Sequence, residues 1–302
     1  MVMRVATFAT GTRMLNASLL TQARMADLQL QEASGVISTD YGGLGSSTRT
    51  VLDLEASLKA SKGYGDATEE ASGRVEVLYS TLSTITDMMS EFRSQLTSMM
   101  SADSNATSAA ELSTAAGGYM DELASLLNTS YEGRYLFGGD RTTTAPVDLD
   151  AYVPDADTVS TDYYQGDDAI ATVKISRDQS VAYGVTAGNS AFEQAFRALG
   201  MIANATDATD TDLLQSSYDL MLSALDATIA VQSKVSINAG TLERATSRQS
   251  DYESFLSAAV SDLKDADVTQ ITVTLSSYET QLSASYSALA KVQSLNLLDY
   301  LR

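Results

Sequence analysis

Ile271-Thr-Val-Thr-Leu-Ser-Ser-Tyr-Glu-Thr-Gln-Leu-Ser-Ala-Ser-Tyr-Ser-Ala-Leu289 lies at the centre of a stretch, residues 262–302, that reads as one long helix. Ile271, Leu275, Tyr278, Leu282, Tyr286, Leu289 and Val292 recur three or four residues apart. That spacing lines them along one helical face and makes a seam for partner helices. The apolar pattern continues into Leu295-Asn-Leu-Leu-Asp-Tyr-Leu301, a position where chains are ordinarily polar and frayed. An apolar end of this kind expects a partner.

The start of the chain offers a second such helix. Residues 13–32 carry Leu15, Leu19, Met25, Leu28 and Leu30 among Gln and Ala, with no Gly or Pro, in a broken seam rather than a strict heptad. Both ends are nearly neutral. Residues 1–30 hold Arg4, Arg13 and Arg24 against Asp27, and residues 271–302 balance Lys291 and Arg302 against Glu279 and Asp299. Residues 31–270 therefore carry −22 within a chain whose net charge is −20. An acidic body of this size repels nucleic-acid backbones and anionic membrane surfaces, so neither is expected as a partner. No run is read as approaching the length of a membrane span, and the first eleven residues, Met1 to Gly11, lack the pattern of a cleavable signal.

Between the ends, Ser34-Gly-Val-Ile-Ser-Thr-Asp-Tyr-Gly-Gly-Leu-Gly-Ser-Ser47 has four glycines and reads as an ordered connector. Helical spacing resumes over 48–100 with Val51, Leu54, Leu58, Val75, Leu78, Leu82, Ile85 and Met89, and Gly63-Tyr-Gly65 leaves open one bent helix or two. A polar turn at 101–108 and a helix over 109–129 complete a helical hairpin. Tyr131-Glu-Gly-Arg-Tyr-Leu-Phe-Gly-Gly-Asp140 ends that helix. Over 142–187 the period becomes two: Ala169, Ala171, Val173 and Ile175 alternate with Thr172 and Lys174, and Val181, Tyr183 and Val185 follow suit. That pair predicts a β-hairpin, in a segment expected to be peripheral because a helical bundle can close its seams without it. Ser190-Ala-Phe-Glu193 has the form of a capping box, with Phe192, Phe196 and Leu199 as the buried face behind it. After a polar turn at 203–212, Leu222, Leu225, Ile229, Tyr252, Phe255, Ala259 and Leu263 continue helical spacing almost unbroken into the last helix.

Chemistry is conspicuous by its missing parts. The chain has no His and no Cys, hence no imidazole base, no thiolate and none of the usual zinc ligand sets, nor any disulfide. Carboxylates cluster at Asp148, Asp150, Asp155 and Asp157 and at Asp167 with Asp168, but no calcium-loop spacing closes on a bidentate Glu, and a solvated acidic loop is the plainer reading. No catalytic residue, cofactor site or metal site is expected. The four Asn-x-Ser/Thr sequences, beginning at Asn16, Asn105, Asn128 and Asn204, are what a chain this rich in Ser and Thr contains by chance.

Three stretches carry a family resemblance. Asp265-Ala-Asp-Val268, with Tyr278-Glu-Thr-Gln-Leu-Ser-Ala-Ser-Tyr-Ser-Ala-Leu289 and Leu295-Asn-Leu-Leu-Asp-Tyr-Leu301, resembles the C-terminal signature of the bacterial flagellin family. Glu132-Gly-Arg-Tyr-Leu-Phe-Gly-Gly139 resembles more particularly the hook-associated proteins of the hook-filament junction, of the type called hook-associated protein 3. Residues 34–47 resemble the loop that joins the terminal domain to the core domain, although Asp40-Tyr-Gly-Gly-Leu-Gly45 replaces the usual paired Asp followed by Pro or Ala.

The resemblance implies a structural subunit of the bacterial flagellum, not an enzyme, secreted through type III export with a chaperone in the cytoplasm. Its implied partners are identical subunits in a ring, the hook-side junction protein and flagellin, and its implied location is extracellular. A flagellin with a reduced outer domain is the alternative, and a surface-displayed binding module using the β segment or an enzyme are more distant ones. The expected fold is mainly α: a long antiparallel helical bundle or coiled coil formed by both chain ends, with a small β-rich insertion mid-chain. The expected division is a terminal assembly domain of 1–46 with 262–302, a helical core domain of 47–138 with 189–261, and an outer insertion of 139–188. The expected assembly residues are Leu15, Leu19, Leu28, Leu275, Leu282, Tyr286, Leu289, Leu295, Leu297 and Leu298.

Overall fold

The computed structural model describes residues 2–101, 106–150, 152–154 and 158–300, with the side chains of 2–8 and 292–300 outside the description. It is mainly α, as expected. The helices are α1 (Val2–Ser34), α2 (Thr48–Ser101), α3 (Ala106–Leu127), α4 (Ser190–Ala203), α5 (Thr211–Lys264) and α6 (Val268–Tyr300). Two short antiparallel hairpins lie mid-chain: β1 (Ser130–Tyr131) with β2 (Arg134–Tyr135), and β3 (Thr172–Lys174) with β4 (Ser180–Ala182). The chain forms two compact units, one of Met1–Lys59 with Glu253–Arg302 and one of Ala60–Tyr252.

In the larger unit, buried positions on α2 follow a strict seven-residue period: Val75, Leu78, Leu82, Ile85, Met89, Phe92 and Leu96. Alternate steps of three and four keep them on one line of the helix. Helix α2 is continuous through Gly63 and Gly65, which settles the question of one helix or two. The glycines cost about 1 kcal/mol each relative to Ala, and the packing of the long seam offsets this. A third glycine lies beneath a ring: a Cβ on Gly73 would stand 2.8 Å from the Tyr131 hydroxyl and displace it.

Helix α5 keeps the same period with a different set of residues. Its buried line runs through Leu214, Ser217, Met221, Ala224, Thr228, Val235, Leu242 and Ala245. Ile229, Tyr252 and Phe255, expected on the seam, are exposed instead. Small and hydroxyl side chains occupy the covered line because they hydrogen-bond where they are buried: Ser217 Oγ donates to Ala198 O on α4 at 3.0 Å, and Thr228 Oγ1 donates to Ala224 O at 2.8 Å. The Thr228 hydroxyl also lies 3.7 Å from Met89 Sδ of α2. Contrary to the expectation from sequence, α5 contains an 18-residue window long and apolar enough to cross a membrane by length and composition. Part of that apolar sequence packs inward, with Met221, Ala224 and Leu225 buried in the core of the larger unit.

The hairpin β3–β4 is found at the expected place, in the register Val173↔Val181, and Val173, Ile175, Val181, Tyr183 and Val185 are its buried side. The segment is not peripheral, however. Tyr163 is fully buried, with its ring centroid 4.4 Å from that of Phe196 and 5.2 Å from that of Tyr152, while Phe137 meets Phe192 edge-on at 6.1 Å. Three of these rings come from outside the helices, so the face of α4 is closed by the segment that the bundle was expected not to need. Tyr163 donates its hydroxyl to Ala187 O at 3.0 Å, and Ala187 N donates to Phe137 O at 2.9 Å. Burial raises the phenol of Tyr152 to about 12 and that of Tyr163 well above its ordinary range, so both stay neutral hydrogen-bonding groups.

Two local details differ from the sequence reading. The N-cap of α4 is Asn189, whose Oδ1 accepts from Ala191 N at 3.0 Å, so Ser190-Ala-Phe-Glu193 is the first turn and not a capping box. Glu193 is buried and pairs with Arg197 one turn on at 3.1 Å rather than reaching back. The stretch Tyr131-Glu-Gly-Arg134, where the helix was expected to give way to another structure, turns the tight hairpin β1–β2 through Glu132 at φ 50 and Gly133 at φ 75.

Tyr163→Ala is expected to cost about 3–5 kcal/mol in urea unfolding, the usual range for emptying a buried aromatic site. Tyr163→Phe removes only the hydroxyl bond and is expected to cost about 1–2 kcal/mol. A cost under about 0.5 kcal/mol for the alanine variant, typical of surface positions, would return the segment to the periphery.

Candidate assembly surface

The smaller unit is built on the pairing of α1 with α6. The covered line of α6 runs through Ile271, Leu275 and Leu282, with Tyr278 and Leu289 half-buried on the same face, again in steps of three and four. The line it meets on α1 is small and mixed: Gly11, Met14, Ser18, Thr21, Met25 and Leu28 are the covered or half-covered positions. Ser18, among the most buried of these, donates its hydroxyl to Met14 O at 3.0 Å and so leaves no unsatisfied group. The helices run in opposite directions, since Thr272 near the start of α6 donates to Glu32 near the end of α1 at 2.9 Å.

A clasp fixes this end of the pair. Gly35, at φ 71, ends α1 in the left-handed conformation that favours glycine, with its N–H on Gln31 O at 2.8 Å. The next residues pair with the α5–α6 junction through Ala266 N to Gly35 O at 2.9 Å and Ile37 N to Lys264 O at 2.7 Å. Residues 41–47 then form a 3-10 turn, and Glu55 on α2 gathers two donors: Lys264 Nζ at 2.9 Å and the Tyr41 hydroxyl at 2.7 Å. These bonds hold the Glu55 carboxyl below its ordinary value of 4.5, Lys264 above its own, and the Tyr41 phenol up, each chiefly through the hydrogen bond named. The glycine-rich connector is therefore ordered by its surroundings and not by its own composition.

Helix α1 has a second apolar face. Leu15, Leu19 and Leu30, 45%, 53% and 70% exposed, lie along one side together with Ala23 and Ala26, well round the helix from the line that meets α6. Leu20 is exposed beside them, and Arg13 and Arg24 are the exposed charges nearby. At the clasp end Leu30 and Ile37 border a groove of about 290 Å³ lined also by Asp27, Gln31 and Val36. Among the described residues no group of three or more metal-ligating side chains is placed to hold a metal ion. The surface offers burial, not chemistry.

The ten expected assembly residues are distributed unequally over these two faces. Leu15, Leu19 and Tyr286 are exposed; Leu28 and Leu289 are half-buried; Leu275 and Leu282 are covered within the chain itself, each only 7% exposed. Leu282, expected as an assembly residue, lies on the face of α6 that meets α1. Leu295, Leu297 and Leu298 belong to α6, and their side chains lie outside the described residues. Leu20 and the role of Leu30 were missed, although the repeat of Leu at 15, 19 and 30 on one side of a helix is a signal the sequence contains.

Residues 218–301 match the family model of the bacterial flagellin C-terminal helical region. Those residues are thus similar to the C-terminal helical region of the bacterial flagellins. Among solved structures, the fold is shared with the flagellar hook-associated proteins. A protein of Vibrio parahaemolyticus assigned to that group aligns at TM-score 0.58 with 17% identity, over 75% of this chain and 99% of its own. FlgL of Bacillus cereus aligns at TM-score 0.56 with 16% identity, over 70% and 98%. The flagellar hook associated protein-3 of Legionella pneumophila aligns at TM-score 0.55 with 12% identity, over 71% and 98%. No curated protein sequence matches the chain.

Leu282→Ala is expected to weaken amide-exchange protection in α1 and α6 by about 2–3 kcal/mol, while Leu19→Ala changes it by less than about 0.5 kcal/mol. Equal effects would mean that both leucines sit in one core. The clasp has its own pH signature. Glu55 is depressed, so its contribution is present above the ordinary 4.5 and is lost as pH falls through its lower folded value. Tyr41 and Lys264 are raised, so theirs are fully present below their ordinary values and are lost as pH rises from those through the folded ones. In Glu55→Gln, Tyr41 is expected to titrate at lower pH than in the parent, read by NMR of its ring carbons; an unchanged titration would contradict the clasp.

Proposed function

We propose that the chain is a structural subunit of the bacterial flagellum, joining the hook-side junction to the flagellin filament by helical self-assembly of its terminal segments. The observation that carries the reading is the second face of α1, where Leu15, Leu19 and Leu30 remain in water after α6 has been paired. Burying each fully against a neighbour contributes about 1.5–3 kcal/mol, so a few such leucines per copy suffice to drive assembly. The flagellin match over 218–301 and the shared fold of hook-associated proteins support the same reading.

On this reading the partners are identical subunits in a ring, the hook-side junction protein and flagellin. The protein is exported unfolded by the type III route, with a cytoplasmic chaperone keeping the apolar ends apart, and works outside the cell. The functional division is an assembly domain of 1–46 with 262–302, a core of 47–138 with 189–261 and an insertion of 139–188 whose buried rings also close the face of α4. The role is mechanical, with no catalysis and no cofactor. A body carrying −22 supports a junction in preference to a filament, because stacked like layers repel unless salt or an unlike neighbour screens them. A filament also requires the subunit's top to fit its own bottom, an open heterologous contact that a junction subunit does not need.

The test is seeding. Purified protein mixed with hook or filament fragments is expected to add one short zone and stop, and Leu15→Asp or Leu19→Asp to abolish the addition while urea unfolding moves by less than about 0.5 kcal/mol. Long homogeneous filaments would select the reduced-flagellin alternative. Undiminished addition by both aspartate variants would remove the α1 face as the assembly surface.

A further inference from the structure

Arginine Nε atoms are seldom left without an acceptor once covered, because a buried unsatisfied donor forfeits its water without replacement. Arg74 on α2 is such a case. Its side chain is 16% exposed; one terminal nitrogen donates to the Tyr183 hydroxyl at 3.2 Å and the other pairs with Glu70, while Nε is buried with no partner. Arg74 lines a cavity of about 70 Å³ that is closed by the β1–β2 hairpin and the turn after it. Arg134 and Asp140 line the same cavity, together with Tyr135, Thr142 and Tyr183. Arg134 has no carboxylate within ion-pair distance among the described residues, so no neighbour in the chain neutralises its charge at close range.

We propose that this cavity binds a small oxyanion of the phosphate or sulfate class, held between Arg74 Nε and the Arg134 guanidinium. The volume suits one such ion, the tyrosine and threonine hydroxyls of the lining can donate to its remaining oxygens, and guanidinium forks match oxyanion geometry. Glu70 is already committed to Arg74, and Glu132 adds negative potential from the hairpin turn. Asp140 is the opposing charge in the lining itself, so the parent site is weak and Asp140 sets its strength. The site lies wholly in the larger unit and does not depend on the flagellar reading.

Inorganic phosphate is the probe, titrated into the full chain by calorimetry and followed by thermal unfolding, with sodium chloride at matched ionic strength as the control. Phosphate is expected to raise the unfolding midpoint by about 2–4 °C over chloride near saturation. Asp140→Asn is expected to tighten binding about tenfold by removing a like charge, and Arg134→Gln to weaken it about tenfold. Both positions are exposed at the surface, so neither variant threatens the fold. No difference between phosphate and chloride in the parent and in Asp140→Asn would leave the cavity to water and overturn the proposal, as would undiminished binding by Arg134→Gln.

Discussion

Helix α1 has two apolar sides and, among the described residues, one main helical partner, α6. The side that meets α6 is lined by Gly11, Ser18 and Thr21 as much as by Met14, Met25 and Leu28, and small side chains let the helices approach closely. The larger leucines at 15, 19 and 30 are left on the other side. Had the leucines gone inward, the pair would satisfy itself and the surface would be inert. The division of residues between the faces turns a two-helix pair into an assembly element, because the free energy still to be gained lies outside the subunit.

The larger unit solves a different problem, that of holding long helices in one register over many turns. It uses a seven-residue period on α2 and again on α5, with alanines and hydroxyl residues where the large apolar groups would keep neighbours apart. Around α4 the solution changes to aromatic packing, with Tyr152, Tyr163 and Phe137 arriving from the non-helical segment. That segment is held by backbone as much as by rings. Asp167 takes the N–H groups of Asp140 and Ala169 on one oxygen, which lowers its carboxyl below the ordinary value, and Gly139 at φ 69 leaves room that any Cβ would fill. Gly139 is thus explained by close approach to Asp167, and Gly138 by the carbonyl of Arg141, 2.8 Å from where its Cβ would stand.

The extent to which this was legible in the sequence follows from which residues carry each feature. Long helices, the mid-chain hairpin and the alternation through Val173 and Ile175 declare themselves because large apolar side chains mark the buried side. The phase of α5 did not, since its covered line includes Ser217, Ala224 and Thr228 while Ile229 and Phe255 face water; periodicity arguments weigh bulk and here bulk points outward. The same bias hid the α1 side of the α1–α6 seam, whose covered line includes Gly11, Ser18 and Thr21. Tyr163 and Phe196 are far apart in the chain, and nothing local announces that they meet. The Glu55–Lys264 bond, between residues more than two hundred apart, is invisible for the same reason.

The central claim is that the Leu19 side of α1 is open in the free subunit and covered after assembly, while the Leu282 side of α6 is covered in both. Because the chain has no cysteine, Leu19→Cys and Leu282→Cys each introduce a unique thiol whose alkylation rate reports accessibility directly. The account predicts fast labelling at position 19 in the free protein, strong protection there once the protein is bound to hook or filament ends, and slow labelling at position 282 throughout. Position 19 labelling as fast in the bound state as in the free one would contradict it.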